Sequence, residues 1–355
     1  MNEVPSQLGT SPPVDVAEAL LGGAITRLVL TSLKDVSDVS VADLHVLFGG
    51  NARRAWSFDL SFAQAGARKC IPCVMLCQAA GRQIDSDVSH EFEVLVALNG
   101  RGLRVPQAIC MDPAGETIGY PSIVLERLDG EANAVKLLRK LPAEEKSSIL
   151  SDLAVATADL HRADIDPAEL DPALGGLSPV DIVRRQLNHW RAQFEANRQE
   201  PLPVLAGLFN WLDDHLPEPE RISLVHGDLR PGNFLYRNGR VTGLLDWEMA
   251  HAGDPLEDIG WIYRPLWSPE AILPIEGFLE RYETELGQKL RPHLITYWRI
   301  FSEVKFATIS VTASKAFASG ETRNIRHADR QSKVAPCLWR SLEWIRRFEG
   351  EVRHA

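Results

Sequence analysis

Two aspartates and an asparagine stand out by their spacing. The run Leu224-Val225-His226-Gly227-Asp228-Leu229-Arg230-Pro231-Gly232-Asn233-Phe234-Leu235-Tyr236 is apolar at both ends, with Gly, Pro, Asp and Arg between. Such a pattern predicts a polar loop pinned between two short strands. Thirteen residues past Asn233, the apolar stretch Val241-Thr242-Gly243-Leu244-Leu245 delivers Asp246, followed by Trp247 and Glu248. One Asp, one Asn and a second Asp are therefore expected at adjacent strand ends. Phosphoryl transfer uses this set. One carboxylate orients the attacking hydroxyl and accepts its proton. An amide oxygen and a second carboxylate suit Mg²⁺, which prefers few, hard oxygen ligands against nucleotide phosphates.

The elements that must position these groups divide the chain. Asp15 to Leu33 reads as a helix interrupted near Gly22 and Gly23. Val39 to Phe48 and Ala55 to Phe62 form a hairpin candidate around Phe48-Gly49-Gly50-Asn51-Ala52-Arg53-Arg54. Ile71 to Gln78, Ile109 to Met111 and Ser122 to Leu128 are further strands, and Val88 to Leu98 has helical spacing. After Asp129-Gly130 the pattern turns helical over Pro142 to Ala163, Pro179 to Ala196 and Leu202 to Leu216. A β-rich insert, Ile222 to Asp246, then precedes about a hundred helical residues rich in Trp, Tyr and Phe. The fold expected is α+β and bilobal. Residues 1–128 form a β-rich nucleotide-binding lobe with a leading helix, and residues 129–355 a helical lobe with the catalytic loop and acceptor site.

The order Asp, five residues to Asn, then a later Asp is that of a kinase catalytic loop and metal-binding acid. The blocks HGDLRPGN, LLDWE and GDPLEDIGW resemble, in order and spacing, those of the aminoglycoside phosphotransferase and choline kinase superfamily. The wording is most similar to phosphotransferases resembling the kinase-like domains attached to some acyl-CoA dehydrogenases. This resemblance implies a protein-kinase-like fold and transfer of the γ-phosphoryl group of ATP, or of GTP, to a hydroxyl of a small molecule. It makes Asp228 the catalytic base, with His226 bracing the loop beside it, and Asn233 and Asp246 the Mg²⁺ ligands. Asp258 becomes a structural acid that holds the catalytic loop. The resemblance also implies that the backbone at Glu126 and Leu128 meets the adenine edge.

In the N-terminal half, Gly49, Gly50 and Asn51 between two strands fit a phosphate-covering loop, where glycine lets backbone N–H groups approach anionic oxygens. Glu91 lies on the helix expected to pair with a phosphate-holding strand cation. The strand that should carry that cation reads Cys73-Val74-Met75-Leu76-Cys77-Gln78, and the position matches Leu76 or Cys77. Arg53, Arg54, Lys69 and Arg82 are the substitutes within reach, with the loop arginines Arg53 and Arg54 favoured. Lack of a strand cation keeps two other readings open. One is a kinase-fold protein that binds nucleotide or ligand with little turnover. The other is a metal-dependent phosphohydrolase using His226, Asp228 and Asp246 as ligands.

The aromatic sets Trp190 with Phe194, and Trp261, Tyr263 and Trp267 with Tyr297 and Trp298, read as core rather than acceptor pocket. His161 reads as a buried hydrogen-bonding histidine. The chain of 355 residues has a formal net charge of −10, which argues against nucleic acid or anionic membrane as a partner. It contains no apolar run of about 18 residues to span a bilayer. The opening MNEVPSQLGTSPP lacks the basic and apolar regions of a secretory signal, so a cytoplasmic location is expected. Five cysteines, an odd number, do not read as a disulfide framework. Cys70, Cys73 and Cys77 have part of a zinc spacing without a nearby His, and read instead as strand cysteines.

Overall fold

Phe58, Leu60 and Phe62 recur at every second position, as do Cys73, Met75 and Cys77, and all six are buried. A period of two gives each segment one buried face, which is the condition for a strand on a core. The computed structural model describes residues 14–47, 53–78 and 88–354. Gly49, Gly50, Asn51 and Arg82 lie outside the described residues.

The first unit contains α1 (Val14–Ser32), β1 (Val36–Leu47), β2 (Arg53–Gln64) and β3 (Ala67–Gln78). After α2 (Val88–Leu98), the chain returns to this unit as β4 (Ala108–Asp112) and β5 (Ser122–Glu126). The five strands form one antiparallel sheet in the order β1-β2-β3-β5-β4. Ile25, Leu28 and Val29 of α1 cover the face bearing Phe58, Leu60, Phe62, Cys73, Met75 and Cys77. Helix α1 runs unbroken through Gly22 and Gly23, contrary to the expected interruption. Two helical glycines cost about 1 kcal/mol each. Burying the three apolar side chains that follow returns about 1.5–3 kcal/mol apiece, so packing overrides propensity. Cys73 and Cys77 belong to this core, and burial pushes their thiols up to about 12 and about 11. They are packed as small hydrophobes.

The second unit takes α2 and everything from Leu128 onward. Its helices are α3 (Ala143–Arg162), α4 (Pro167–Leu170), α5 (Pro179–Asn197), α6 (Pro203–Asp214), α7 (Leu256–Ile262), α8 (Ile275–Leu286), α9 (Pro292–Ala318), α10 (Ile325–Asp329) and α11 (Val334–His354). Between α6 and α7 lie β6 (Ser223–Val225), β7 (Phe234–Arg237), β8 (Arg240–Leu244) and β9 (His251–Gly253). Sequence alone suggested one β-insert ending at Asp246. The structure has two separate ladders, β6 with β9 and β7 with β8. The short strand β9 has no apolar alternation to announce it; pairing of Val225 with His251 makes it a strand. Among the described residues, no helix is long and apolar enough to cross a membrane.

Helix α9 is the spine of this unit, and α7 lies directly on it at Gly260. A Cβ placed there would sit 2.7 Å from both the carbonyl carbon and oxygen of Trp298. Gly→Ala inside a helix ordinarily gains about 1 kcal/mol. Here the obstacle is backbone, which cannot turn aside, so overpacking at about 1–3 kcal/mol wins. Gly260→Ala is expected to lower the urea midpoint, and an unchanged or higher midpoint would show that α7 and α9 have room to separate.

Candidate active site

Strand β6 leads straight into His226-Gly227-Asp228, and the turn is possible only with glycine. Gly227 has φ +79°, and a Cβ there would approach the Met249 carbonyl oxygen to 2.3 Å. The turn hangs from one side chain. Asp258, fully buried in the first turn of α7, accepts the His226 N–H at 2.8 Å on Oδ2 and the Gly227 N–H at 2.9 Å on Oδ1. His161 of α3 donates from Nε2 to the same carboxylate at 3.0 Å, and its Nδ1 lies 2.9 Å from the Tyr282 hydroxyl. Burial alone would raise the Asp258 pKa. The hydrogen bond and charge of His161, with His226 adding to both, reverse that and hold the carboxyl below its usual range.

His226 Nε2 lies 2.9 Å from the Leu245 carbonyl oxygen, an acceptor, so Nε2 carries the proton. Nδ1 then accepts the Asp228 backbone N–H at 3.3 Å. Burial pushes the imidazole pKa down, so the ring is neutral with both nitrogens occupied. Neither nitrogen is left to ligate a metal. His226 joins the loop of Asp228 to the residue preceding Asp246.

The Asp228 carboxylate is held on three sides. Oδ1 accepts from Trp261 Nε1 at 2.7 Å, and Arg230 Nε forks to Oδ1 at 3.1 Å and Oδ2 at 3.3 Å. Asn233 Nδ2 donates to Oδ2 at 2.6 Å and to the Asp228 carbonyl at 2.9 Å. Burial works against the Arg230 charge, but Asp228, Asp246 and Glu248 outweigh it and raise its pKa. With the Asn233 nitrogen committed to a carboxylate, the amide oxygen is the end left for a cation. The Leu245 N–H donates to the Asn233 carbonyl at 2.8 Å, which sets Asn233 beside the approach to Asp246. Asp246 adopts φ +69°, unusual for a residue with a Cβ. The next N–H, of Trp247, reaches Glu91 Oε1 at 3.4 Å, and His90 Nε2 meets the Ala250 carbonyl at 2.7 Å. Helix α2 thus grips the segment after Asp246. The donor set of an amide oxygen and a carboxylate fits Mg²⁺.

In the sheet unit, Arg53 pairs with Gln78 and Arg54 with Cys77. Cys77 faces the α1-covered core, so Leu76 and Arg53 project from the other face and Arg54 from the core side. Lys69 is at the far end of the same hairpin, bonded to Gln64 and 5.9 Å from the Phe62 ring centroid. The sixteen-residue separation of Lys69 from Arg53 spans the turn, so the two stand about 30 Å apart along β2, at about 3.3 Å per residue. Glu126 closes β5 opposite Cys73, and Arg127 N–H donates to the Pro72 carbonyl at 2.7 Å. Leu128 opens the other unit, its Cδ1 lying 2.5 Å from the point where Gly243 would carry a Cβ.

Residues 55–293 match the phosphotransferase enzyme family. The chain belongs to that family. This phosphotransferase is 27% identical over 216 residues to mouse acyl-CoA dehydrogenase family member 10, and 30% identical over 214 residues to rat acyl-CoA dehydrogenase family member 11. These alignments cover 60% and 59% of the chain but only 20% and 27% of the relatives, so the match spans less than a third of their length. A candidate aminoglycoside phosphotransferase of Ralstonia eutropha shares the fold, with TM-score 0.67, 20% identity and coverage of 92% and 98% of the two chains. Macrolide 2′-phosphotransferase MphH of Brachybacterium faecium gives 0.56 at 20% identity, covering 90% and 98%. The ternary complex of APH(2″)-IIa with streptomycin and ATP gives 0.55 at 15%, covering 93% and 97%. The α+β, protein-kinase-like fold expected from the sequence is the one present.

Three side chains of the phosphotransferase site were not singled out by motif: Arg230, Trp261 and Lys305. The first two lie within the blocks HGDLRPGN and GDPLEDIGW. Trp261, expected only as core, is buried and still reaches Asp228. Lys305 is fully buried on α9, donates to the Gly227 carbonyl at 2.6 Å and to Glu257 Oε1 at 2.8 Å, and lies 4.6 Å from the Trp261 ring centroid. Burial alone would raise the Glu257 pKa, but Lys305 and then His251, at 3.1 Å, hold the carboxyl low. On α9 the residues at helical spacing from Lys305 include the polar Ser302 and Thr308, so no local pattern singled it out. Lys305→Met should cost about 3–5 kcal/mol, the price of stranding a buried partner charge, and adding Glu257→Gln should recover part of it. Denaturant unfolding of both single variants and the double variant tests this; strictly additive losses would mean the pair does not interact.

Asp254, next to the first turn of α7, carries the opposite kind of shift. Its Oδ1 accepts the Leu256 N–H at 2.9 Å, yet burial pushes the carboxyl up to about 7. Between the ordinary value of about 4 and this one, the folded protein holds a proton that the unfolded chain has released. Stability from this group is therefore full below about pH 4 and falls as pH rises toward 7. Asp254→Asn should gain stability relative to the parent at pH 8 over pH 5. Equal differences at both pH values would contradict a neutral Asp254.

Proposed function

We propose that this phosphotransferase moves the γ-phosphoryl group of ATP, with GTP a possible substitute, to a hydroxyl of a small molecule, using Mg²⁺. The observation that carries this reading is the three-sided hold on Asp228. Trp261 and Arg230 fill Oδ1, while Oδ2 takes the short Asn233 bond and only the longer arm of the Arg230 fork. Each oxygen thus has two donors, and the 3.3 Å arm of Arg230 on Oδ2 is the longest of the four, so it is the one an acceptor hydroxyl would displace in order to be oriented and to give up its proton. Asn233 and Asp246 are the residues that would hold Mg²⁺, and a bound Mg²⁺ would neutralise phosphate charge. Arg230, beside Asp228, is placed to balance charge on the transferring group. The likeness in fold to a protein solved with streptomycin and ATP supports a nucleotide site.

For that site, we assign the backbone at Glu126 and Leu128 to the adenine edge and the Gly49-Gly50-Asn51 loop to the phosphates. If the vacant strand position is Leu76, Arg53 replaces its cation, because Arg53 shares a sheet face with Leu76 and Arg54 does not. The apolar Leu76 also favours a second reading, a kinase-fold protein that binds its ligand with little turnover.

Thermal-shift titration with Mg·ATP, followed by ADP release over a panel of hydroxyl compounds, separates the two. Asp228→Asn should leave ATP affinity near that of the parent and reduce turnover about 10²–10⁴-fold, the range for a lost general base. Retention of more than half the turnover removes Asp228 from that role.

A further inference from the structure

On the side of Asp228 occupied by Trp261, arginines gather to a degree that bracing the catalytic loop does not require. Trp261, Trp267 and Phe306 form an aromatic triad, with centroid separations of 5.1, 5.6 and 6.3 Å. Three guanidinium groups surround it. Arg230 lies 5.7 Å from the Trp267 centroid, Arg264 lies 5.0 Å from Trp267 and 3.6 Å from Phe306, and Arg330 lies 5.2 Å from Phe306.

Their carboxylate partners are too few. Arg230 has Asp228. Arg264 and Arg340 share one oxygen of Glu303, at 3.1 and 2.8 Å. Arg330 has no carboxylate within salt-bridge distance among the described residues, and its neighbour Asp329 is paired with Lys333 at 3.2 Å. Within salt-bridge distance the four arginines share only Asp228 and Glu303, while Asp246 and Glu248 act on Arg230, and Asp329 on Arg330, from farther away. Arg264 is 2% exposed, and its Nε and Nη1, like Oε1 of its partner Glu303, have no hydrogen-bond partner among the described residues. Buried donors left unmade are costly and rare. Burial, followed by the charges of Arg230 and Arg264, disfavours the charge on Arg330 and outweighs the opposite pull of Asp228 and Asp329, so these groups share one field. An oxyanion would relieve all three guanidiniums, whereas an amine would add to the repulsion.

We propose that the phosphoryl acceptor carries an oxyanion of its own, a carboxylate or a phosphate monoester, held by Arg330 and the outer edge of Arg230 beside Trp267, with the buried Arg264 adding positive charge from behind. This rests on the reading of Asp228 given above and names the acceptor class for it. The site selects against polycationic antibiotics of the streptomycin type. Arg264 and Arg330 then act as specificity residues.

The test is calorimetric titration of the full chain with succinate and, separately, with inorganic phosphate, in the parent, Arg330→Gln and Arg330→Glu, with thermal melting to establish folding. At least one oxyanion should bind the parent, and which one identifies the carboxylate or the phosphate source. Both variants should weaken it by about 10–100-fold, the range for a lost charged hydrogen bond. Mg·ATP affinity should stay within about threefold of the parent, since a few tenths of a kcal/mol is the usual effect away from a contact. Binding of neither oxyanion by the parent, or undiminished binding by both variants, overturns the proposal. So does a parallel loss of Mg·ATP affinity, which would assign the arginines to the nucleotide. Failure of the parent to bind Mg·ATP at all would defeat the kinase reading instead, and the oxyanion result would still stand by itself.

Discussion

The Asp258 carboxylate is the point on which the catalytic loop depends. A loop that turns at Gly227 exposes two consecutive N–H groups inside the protein, where no water can satisfy them. Asp258 takes both and is itself held by His161. With those two N–H groups fixed, the direction of Asp228 follows, because His226 is anchored at its own backbone and passes the constraint through its ring to Leu245. One buried acid therefore registers the loop of Asp228 against the strand end that carries Asp246.

A second buried acid does similar service from the other side. Glu257 is held by Lys305 and His251, and Lys305 also grasps the Gly227 carbonyl. Buried ion pairs of this kind contribute little net stability, because desolvation cancels most of the Coulomb gain. Their effect is geometric. Gly227, held through its N–H by Asp258 and through its C=O by Lys305, has both flanking peptide units pinned and little freedom to reorient. Such stiffness suits a site whose chemistry is mostly positioning.

Much of this was legible in the sequence, for identifiable reasons. Asp228, Asn233 and Asp246 announce themselves because polar loop residues between apolar strands need a chemical reason to be there. The strands β2 and β3 and the helix α2 follow from periods of two and of 3.6. Other features were not legible. The continuity of α1 through Gly22 and Gly23 depends on core contacts made far along the chain. Strand β9 exists only through its pairing with β6. Lys305 stands 77 residues from Asp228, and the arginines at 264 and 330 converge only after α7, α9 and α10 have packed. Long-range pairing of charge leaves no local trace. Which face Arg53 takes is likewise a matter of register, since a slip of one residue would exchange it with Arg54.

The attachment of α2 to residues 247–250 has a consequence for control. In kinases that are switched, this helix moves, carrying its glutamate in and out of register with the active site. Here His90 and Glu91 bond the backbone just after Asp246, so the helix and this acid travel together. Any swing would have to break one buried and one part-buried bond, or else carry Asp246 with it. The two contacts make α2 and the segment after Asp246 one mechanical piece, hinged together at the backbone.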